Sequence, residues 1–200
     1  VRDYWQRIKI KGESYLSNKL ILLLVLAGTF AGFAQTLANS FYGIFIYQYY
    51  GNSFMNVAVV FLLALVGAPT GVMLSKKFIR IAGTLPVLIF GIMMMAISPF
   101  TYYLKPDLAF IALATFFGIL GGSMLGVAHS ILSSKIIHDD ERQDYYSINS
   151  LLMVAPYVIL IPVAVFFLQT ISLQILFLIS AVILVGLVAP LYFAMLFTSR

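Results

Sequence analysis

The feature that most constrains this chain is where its charges are missing. Stepping from one Asp, Glu, Lys or Arg to the next leaves four charge-free stretches, residues 20–75, 81–104, 108–134 and 145–199, of 56, 24, 27 and 55 residues. A helix crosses the hydrocarbon layer with about 20 apolar residues. The two middle stretches therefore hold one span each and the outer two hold two each, broken at 47–54 (YQYYGNSF) and 169–174 (QTISLQ). Composition agrees. The chain is 62% hydrophobic and 10% charged, with mean hydropathy +1.03, whereas a soluble domain is about 25% charged because water must wet its surface.

The pattern predicts an all-α, polytopic membrane protein. A polar leader (residues 1–19) precedes a six-helix transmembrane domain (20–198), with spans at about 20–47, 54–75, 82–103, 108–135, 146–168 and 173–197. The runs are too long and too uniformly apolar for a β-barrel, whose strands alternate. With the N-terminus inside, residues 1–19, the 76–80 loop, the 135–144 loop and Arg200 carry 11 of the 12 basic residues, leaving Lys105 on the other face. That asymmetry predicts an N-in, C-in topology in the cytoplasmic membrane. The net charge of +5 then reports topology and no nucleic-acid partner. Tyr47, Tyr49, Tyr50, Tyr102 and Tyr103 are expected at the outer interface, where amphipathic rings settle.

In the leader, Val1, Tyr4, Trp5 and Ile8 share a helix face, which reads either as an interfacial helix ended by Gly12 or as a frayed terminus. Ser17 or Asn18 is the expected cap of the first span. Cysteine is absent, which excludes disulfides and thiol chemistry. No charge falls inside a span, and the two histidines, His129 and His138, share no helix face well. No metal site, cofactor or catalytic constellation is expected, and proton or ion relays lose ground. Val1 in place of an initiator Met fits a trimmed or partial chain.

Small residues predict close helix seams: Ala27/Ala31 and Gly28/Gly32 in the first span, Gly67/Gly71 in the second, and a Gly118, Gly122, Gly126 ridge in the fourth. The same helices carry the uncharged polar groups. Gln35, Asn39 and Tyr42 share a face of the first span; His129 and Ser133 continue the glycine ridge, with Ser123, Ser130 and Ser134 beside it. Asn149 and Ser150 open the fifth span, which also holds Pro156, Tyr157 and Pro162. A buried amide in lipid finds either a neighbouring helix or a wet cavity. Gln35 and Asn39 therefore read as interhelical glue or as cavity lining, and His129 as a packing histidine or a site residue. Spans one and four open successive three-helix units, each pairing small residues with mid-membrane polar groups. Corresponding Gly-interrupted helices in two repeats point toward a cavity in secondary transporters, although the two units share no residue-level repeat.

The second span runs into GVMLSKKFIRIAG (71–83) at its basic end. The segment resembles the loop 2–3 signature of the major facilitator superfamily, G-x-x-x-D-R-x-G-R-[KR]. Gly71, Lys76 and Arg80 match in type, whereas Ser75, Phe78 and Ile79 depart from it. IIHDDERQDYYSINSLL (136–152) is similar to that superfamily's acidic-then-Arg loop, with Arg142 as the matching Arg. Six helices in about 200 residues equal one half of such a transporter. Ser75 for Asp leaves the family's loop latch without its acid, and Ala155-Pro156 replaces the Gly-Pro pair of its antiporters. Lys76, Lys77 and Arg80 read either as solvated positive-inside charges or as partners of helix ends and of Asp139, Asp140 and Glu141, which otherwise stabilise the start of helix five.

The resemblance implies a secondary transporter, or half of one, moving a small neutral or amphipathic solute by alternating access. A second six-helix half would come from the same chain continued or from a homodimer. The expected cavity residues are Gln35, Asn39, Tyr42, Ser123, His129 and Asn149, and the expected gating residues are Gly71, Ser75, Lys76, Arg80 and Arg142. The competing expectation is a non-transporting integral membrane subunit with an assembly or anchoring role. An exporter domain of the ABC type fits poorly, because the inner loops are short.

Overall fold

The computed structural model describes residues 18–137, 142–167 and 172–198, and among them every regular element is helical. In chain order these are α1 (Lys19–Tyr49), α2 (Phe54–Ala82), α3 (Thr84–Leu104), α4 (Leu108–Ile136), α5 (Arg142–Phe167), α6 (Leu173–Ile183), a π-helical stretch (Leu184–Val188) and α7 (Ala189–Thr198). Among the described residues, five runs are long and apolar enough to cross a bilayer: α1, α2, α3, α4 and the continuous Leu173–Met195. This is the architecture of a multi-pass membrane protein. The remaining expected span coincides with α5, a 26-residue helix that opens on Arg142, Gln143 and Asp144. The 1–17 leader and the His138–Glu141 segment lie outside the described residues.

Local chemistry sets the helix ends. The Asn18 side chain accepts hydrogen bonds from the Leu20 and Ile21 amides at 3.1 and 3.5 Å, relieving two of the donors that a helix start leaves unpaired. Gly51 and Asn52, both in the left-handed region, turn the chain between α1 and α2. The expected 76–80 loop is instead helical. α2 runs through Lys76, Lys77 and Arg80 to Ala82 and stops only at Gly83, with φ 89°. Lys, Phe, Ile and Arg are adequate helix residues, and the first position that demands a positive φ is a glycine. At the other end the Tyr50 hydroxyl donates to the Pro106 carbonyl, tying the α1–α2 turn to the α3–α4 connection. Burial, and then the charge of Asp107, push the Tyr50 phenol up from its usual value, so it remains a neutral donor. Lys105 places its ammonium 3.6 Å from the centre of the Tyr49 ring, a cation–π contact.

The π-helical stretch follows from Pro190. A proline ring collides with the carbonyl four residues earlier, here Gly186. The Ala189 amide bonds to Leu184, five residues back, which absorbs the misfit without breaking the span.

α4 packs extensively on α2 and α3, whereas α1 packs on α5, α6, the π-helical stretch and α7, and α3 meets α6. Between α1 and α4 there is little contact. Exchanging helices 1, 2 and 3 for 4, 5 and 6 maps the α2–α4 pairing onto α5–α1 and the α3–α4 pairing onto α6–α1. The main pairings are thus those of two interleaved three-helix units.

Glycine decides how closely α4 approaches its partners. A Cβ on Gly71 would lie 2.4 Å from the Leu120 carbonyl oxygen, and one on Gly67 2.8 Å from that of Phe116. On the other flank a Cβ on Gly121 would lie 2.6 Å from both the Gly91 oxygen and the Met95 nitrogen. Backbones meet there with no room for a methyl group. The seam of α4 is therefore Gly118 and Gly121, not the expected Gly118, Gly122, Gly126 ridge. Gly126 has nothing within 4 Å of its would-be Cβ.

Gly71→Ala and Gly121→Ala are expected to destabilise the protein in detergent by about 1–3 kcal/mol each, with Gly126→Ala close to neutral. Unfolding titrations of the three variants check this, and equal effects at all three would contradict the seam.

Candidate functional site

Because α4 commits its Gly118/Gly121 edge to α3 and its Phe116/Leu120 edge to α2, its remaining face turns toward α1 across a gap. Two chambers occupy that gap and share Gln35. The first is lined by Gln35, Asn39, Tyr42, Ser98, Thr115, Gly118 and Ser180 among others, with about 30 Å³ of space open to water. That is enough for one or two waters. The second, about 250 Å³, is lined by Gly28, Gly32, Gln35, Thr36, Gly122, Gly126, His129, Ser130, Tyr146 and Tyr192 among others.

An aromatic cluster closes the Tyr49 end of the cleft. Tyr42 stacks on Tyr102 with centroids 4.2 Å apart, and Phe177 lies 5.2–5.4 Å from Tyr42, Phe45 and Tyr102. Such offset and edge contacts add to the burial of the rings. The Tyr102 hydroxyl shares a hydrogen bond of 2.9 Å with Thr115, which donates at 2.7 Å to the Ile111 carbonyl. Tyr102 is fully buried, so it belongs to this plug and not to the expected interfacial tyrosines. Its hydroxyl finds a partner inside, which removes the reason to sit at the membrane surface.

The other end is held by His129. Its Nδ1 lies 2.6 Å from the Tyr192 hydroxyl and its Nε2 3.5 Å from the Tyr145 hydroxyl. α4, α5 and α7 thus converge on one imidazole. Across from it Gly28 of α1 leaves just enough space: a Cβ there would lie 3.2 Å from the His129 ring and 3.4 Å from Asn149 Oδ1. Further along, Ser180 donates at 2.7 Å to the Ala34 carbonyl, pinning α6 to α1. Pro99, which has no N–H, cannot donate to the Met95 carbonyl, and both residues line the first chamber.

The structure brings together four of the six expected cavity residues, Gln35, Asn39, Tyr42 and His129. Gln35 and Asn39 are exposed on the open flank, and neither amide makes a side-chain hydrogen bond among the described residues. Ser123 is not part of the cleft. It packs at the α2–α4 seam, with its Cβ 3.0 Å from where Gly71 would carry one, because α4 is rotated by its close approach to α2. Asn149 is buried beside Gly28 and His129, behind the cleft wall.

The loop-motif residues separate. Gly71 is at the seam. Ser75 is fully buried, its hydroxyl donating to the Val72 carbonyl at 2.8 Å. Lys76 and Arg80 are exposed on α2. Arg142 donates at 2.7 Å to the Ser134 carbonyl, capping the end of α4 from the start of α5. Sequence reasoning missed Ser98, Thr115, Ser180 and Tyr192. Each is a hydroxyl inside an apolar run, and that was the available signal.

No protein-family model, no curated protein and no solved structure matches the chain.

Tyr192→Phe keeps the ring and deletes the bond to His129. It is expected to cost about 0.6–1.7 kcal/mol in reversible unfolding from bicelles. Stability unchanged within error would show that the His129 cluster does not hold the helices together.

Proposed function

We propose that this chain is a six-helix unit of a secondary transporter, oriented N-in and C-in in the cytoplasmic membrane, with α5 as the sixth span. It moves a small neutral or amphipathic solute by alternating access along the α1–α4 cleft. A second six-helix unit, from the same chain continued or from a homodimer, completes the pathway. The likeness of GVMLSKKFIR (71–80) to the major facilitator signature belongs to this reading, as does the interleaved pairing of two three-helix units.

The observation that carries it is the cleft itself. Two helices that open successive three-helix units stand apart at mid-membrane and line the gap with amides, hydroxyls and an imidazole. Polar groups are expensive in hydrocarbon unless a partner or water satisfies them, and Gln35 and Asn39 face the gap without one among the described residues. Their lack of charge favours a neutral solute, since an ionic group would enter a membrane site with no countercharge. With the Tyr42–Phe45–Tyr102–Phe177 plug at the outer end, this arrangement corresponds to a state closed to the outside.

The test is uptake of radiolabelled sugars, nucleosides and short-chain glycosides into proteoliposomes. Gln35→Ala combined with Asn39→Ala is expected to lower kcat/KM for a transported solute roughly tenfold or more. Unchanged kinetics would remove this site. If no neutral solute is taken up by the intact protein, the non-transporting membrane subunit becomes the better reading.

A further inference from the structure

Asn39 lines not only the central cleft but also a second space, about 520 Å³, on the flank between α1 and α2. We propose that this flank is a lateral entrance through which an uncharged amphipathic solute passes between the outer leaflet and the cleft. The proposal rests on the transporter reading and names the class of solute that its site takes.

The lining changes character along its length. Tyr47 and Gln48 lie at the outer end of α1, Ile44, Val57 and Phe61 wall the middle, and Asn39 stands at the inner end. From Asn39 to Gln48 is nine residues, about 14 Å of helix rise, close to the thickness of one leaflet's hydrocarbon. The groove thus runs from the membrane surface to its midplane. α1 and α2 touch little beyond their shared turn, and Gly43 keeps the floor low, with only the Val57 side chain, at 3.9 Å, near its would-be Cβ.

Two constraints favour passage by this route. The axial exit is filled by the buried Tyr42, Phe45, Tyr102 and Phe177 rings, so a solute moving straight outward must displace a packed cluster. The lateral route needs no such movement, because Asn39 already faces both spaces. The amides of Asn39 and Gln48 make no side-chain hydrogen bond among the described residues, yet they border lipid-facing apolar walls. A molecule with a polar head and an apolar body satisfies both surfaces at once. A sugar without an apolar body would strip its hydration against Ile44, Val57 and Phe61 for no return.

The chain has no cysteine, so a single introduced thiol reports its own surroundings. In liposomes, Asn39→Cys is exposed to dodecylmaleimide dissolved in the bilayer, and Gln35→Cys to a charged, water-borne methanethiosulfonate. Adding Gly43→Phe to Asn39→Cys is expected to slow the alkyl reagent roughly tenfold or more. Adding Phe61→Ala instead is expected to speed it, a direction that general disruption of packing at Asn39 would not favour in one variant and oppose in the other. Gln35→Cys should react with the water-borne reagent equally in all three backgrounds. If neither Gly43→Phe nor Phe61→Ala changes the alkyl reaction, the lateral entrance is wrong even though the cleft stands. If Gln35→Cys is inert to the water-borne reagent, the transporter reading fails first. A bilayer-borne reaction that still responds to both groove variants would then assign the groove to lipid alone and overturn the solute route.

Discussion

Everything in this molecule depends on how closely α4 can approach α2 and α3. In lipid no hydrophobic force drives helices together, so contact area between backbones has to do it. At Gly71 against Leu120 and at Gly91 against Gly121 the backbones meet at distances that exclude a methyl group. Those two seams fix the rotation of α4 about its axis. Once fixed, Gly122 and Gly126 border the chamber between α4 and α1, and His129 is turned to the end where Tyr145 and Tyr192 hold it. The cleft is a consequence of the seams, and its polar lining is tolerable only because the cleft exists.

The two ends of the cleft are closed by different chemistry. At one, four aromatic rings pack around an internal hydroxyl pair, Tyr102 with Thr115. At the other, an imidazole gathers two phenols from two other helices. The first is mostly dispersion and burial, tolerant of small shifts. The second is directional, since each ring nitrogen must match a donor or an acceptor. The proposed alternating access needs two closures that respond independently, and this pair differs in kind.

The helices were legible in the sequence because charge placement in a membrane protein is nearly binary. The expected spans and the observed helices agree within two residues at most ends, as at Asn18 and at Gly51-Asn52, whereas α5 starts at Arg142, four residues before the expected 146. The disagreement at 76–80 shows the limit of that rule: basic residues end the hydrocarbon crossing, yet α2 continues to Gly83. Gln35, Asn39, Tyr42 and His129 were legible because an amide or imidazole in an apolar run is costly enough to need a reason. Ser123 went astray, and Tyr102 with it, because helical spacing gives a face but not its neighbour. The rotation that sends Ser123 to α2 is set by Gly67 and Gly71 on another helix. The role of Gly121 was hidden for the same reason. A period of four picks out 118, 122 and 126, whereas the actual crossing uses an i, i+3 pair.

Water in the α1–α4 cleft is the most direct expression of this arrangement. Spin labels at Gly122→Cys and at the exposed Ile97→Cys, each in liposomes made with D2O, report local deuterium density by electron spin echo modulation. Gly122 lines the cleft and Ile97 the apolar outer face. Strong modulation at residue 122 with almost none at residue 97 is the expected result. Equal dryness at both positions would mean that the polar face of α1 and α4 is packed glue, and the pathway would not exist.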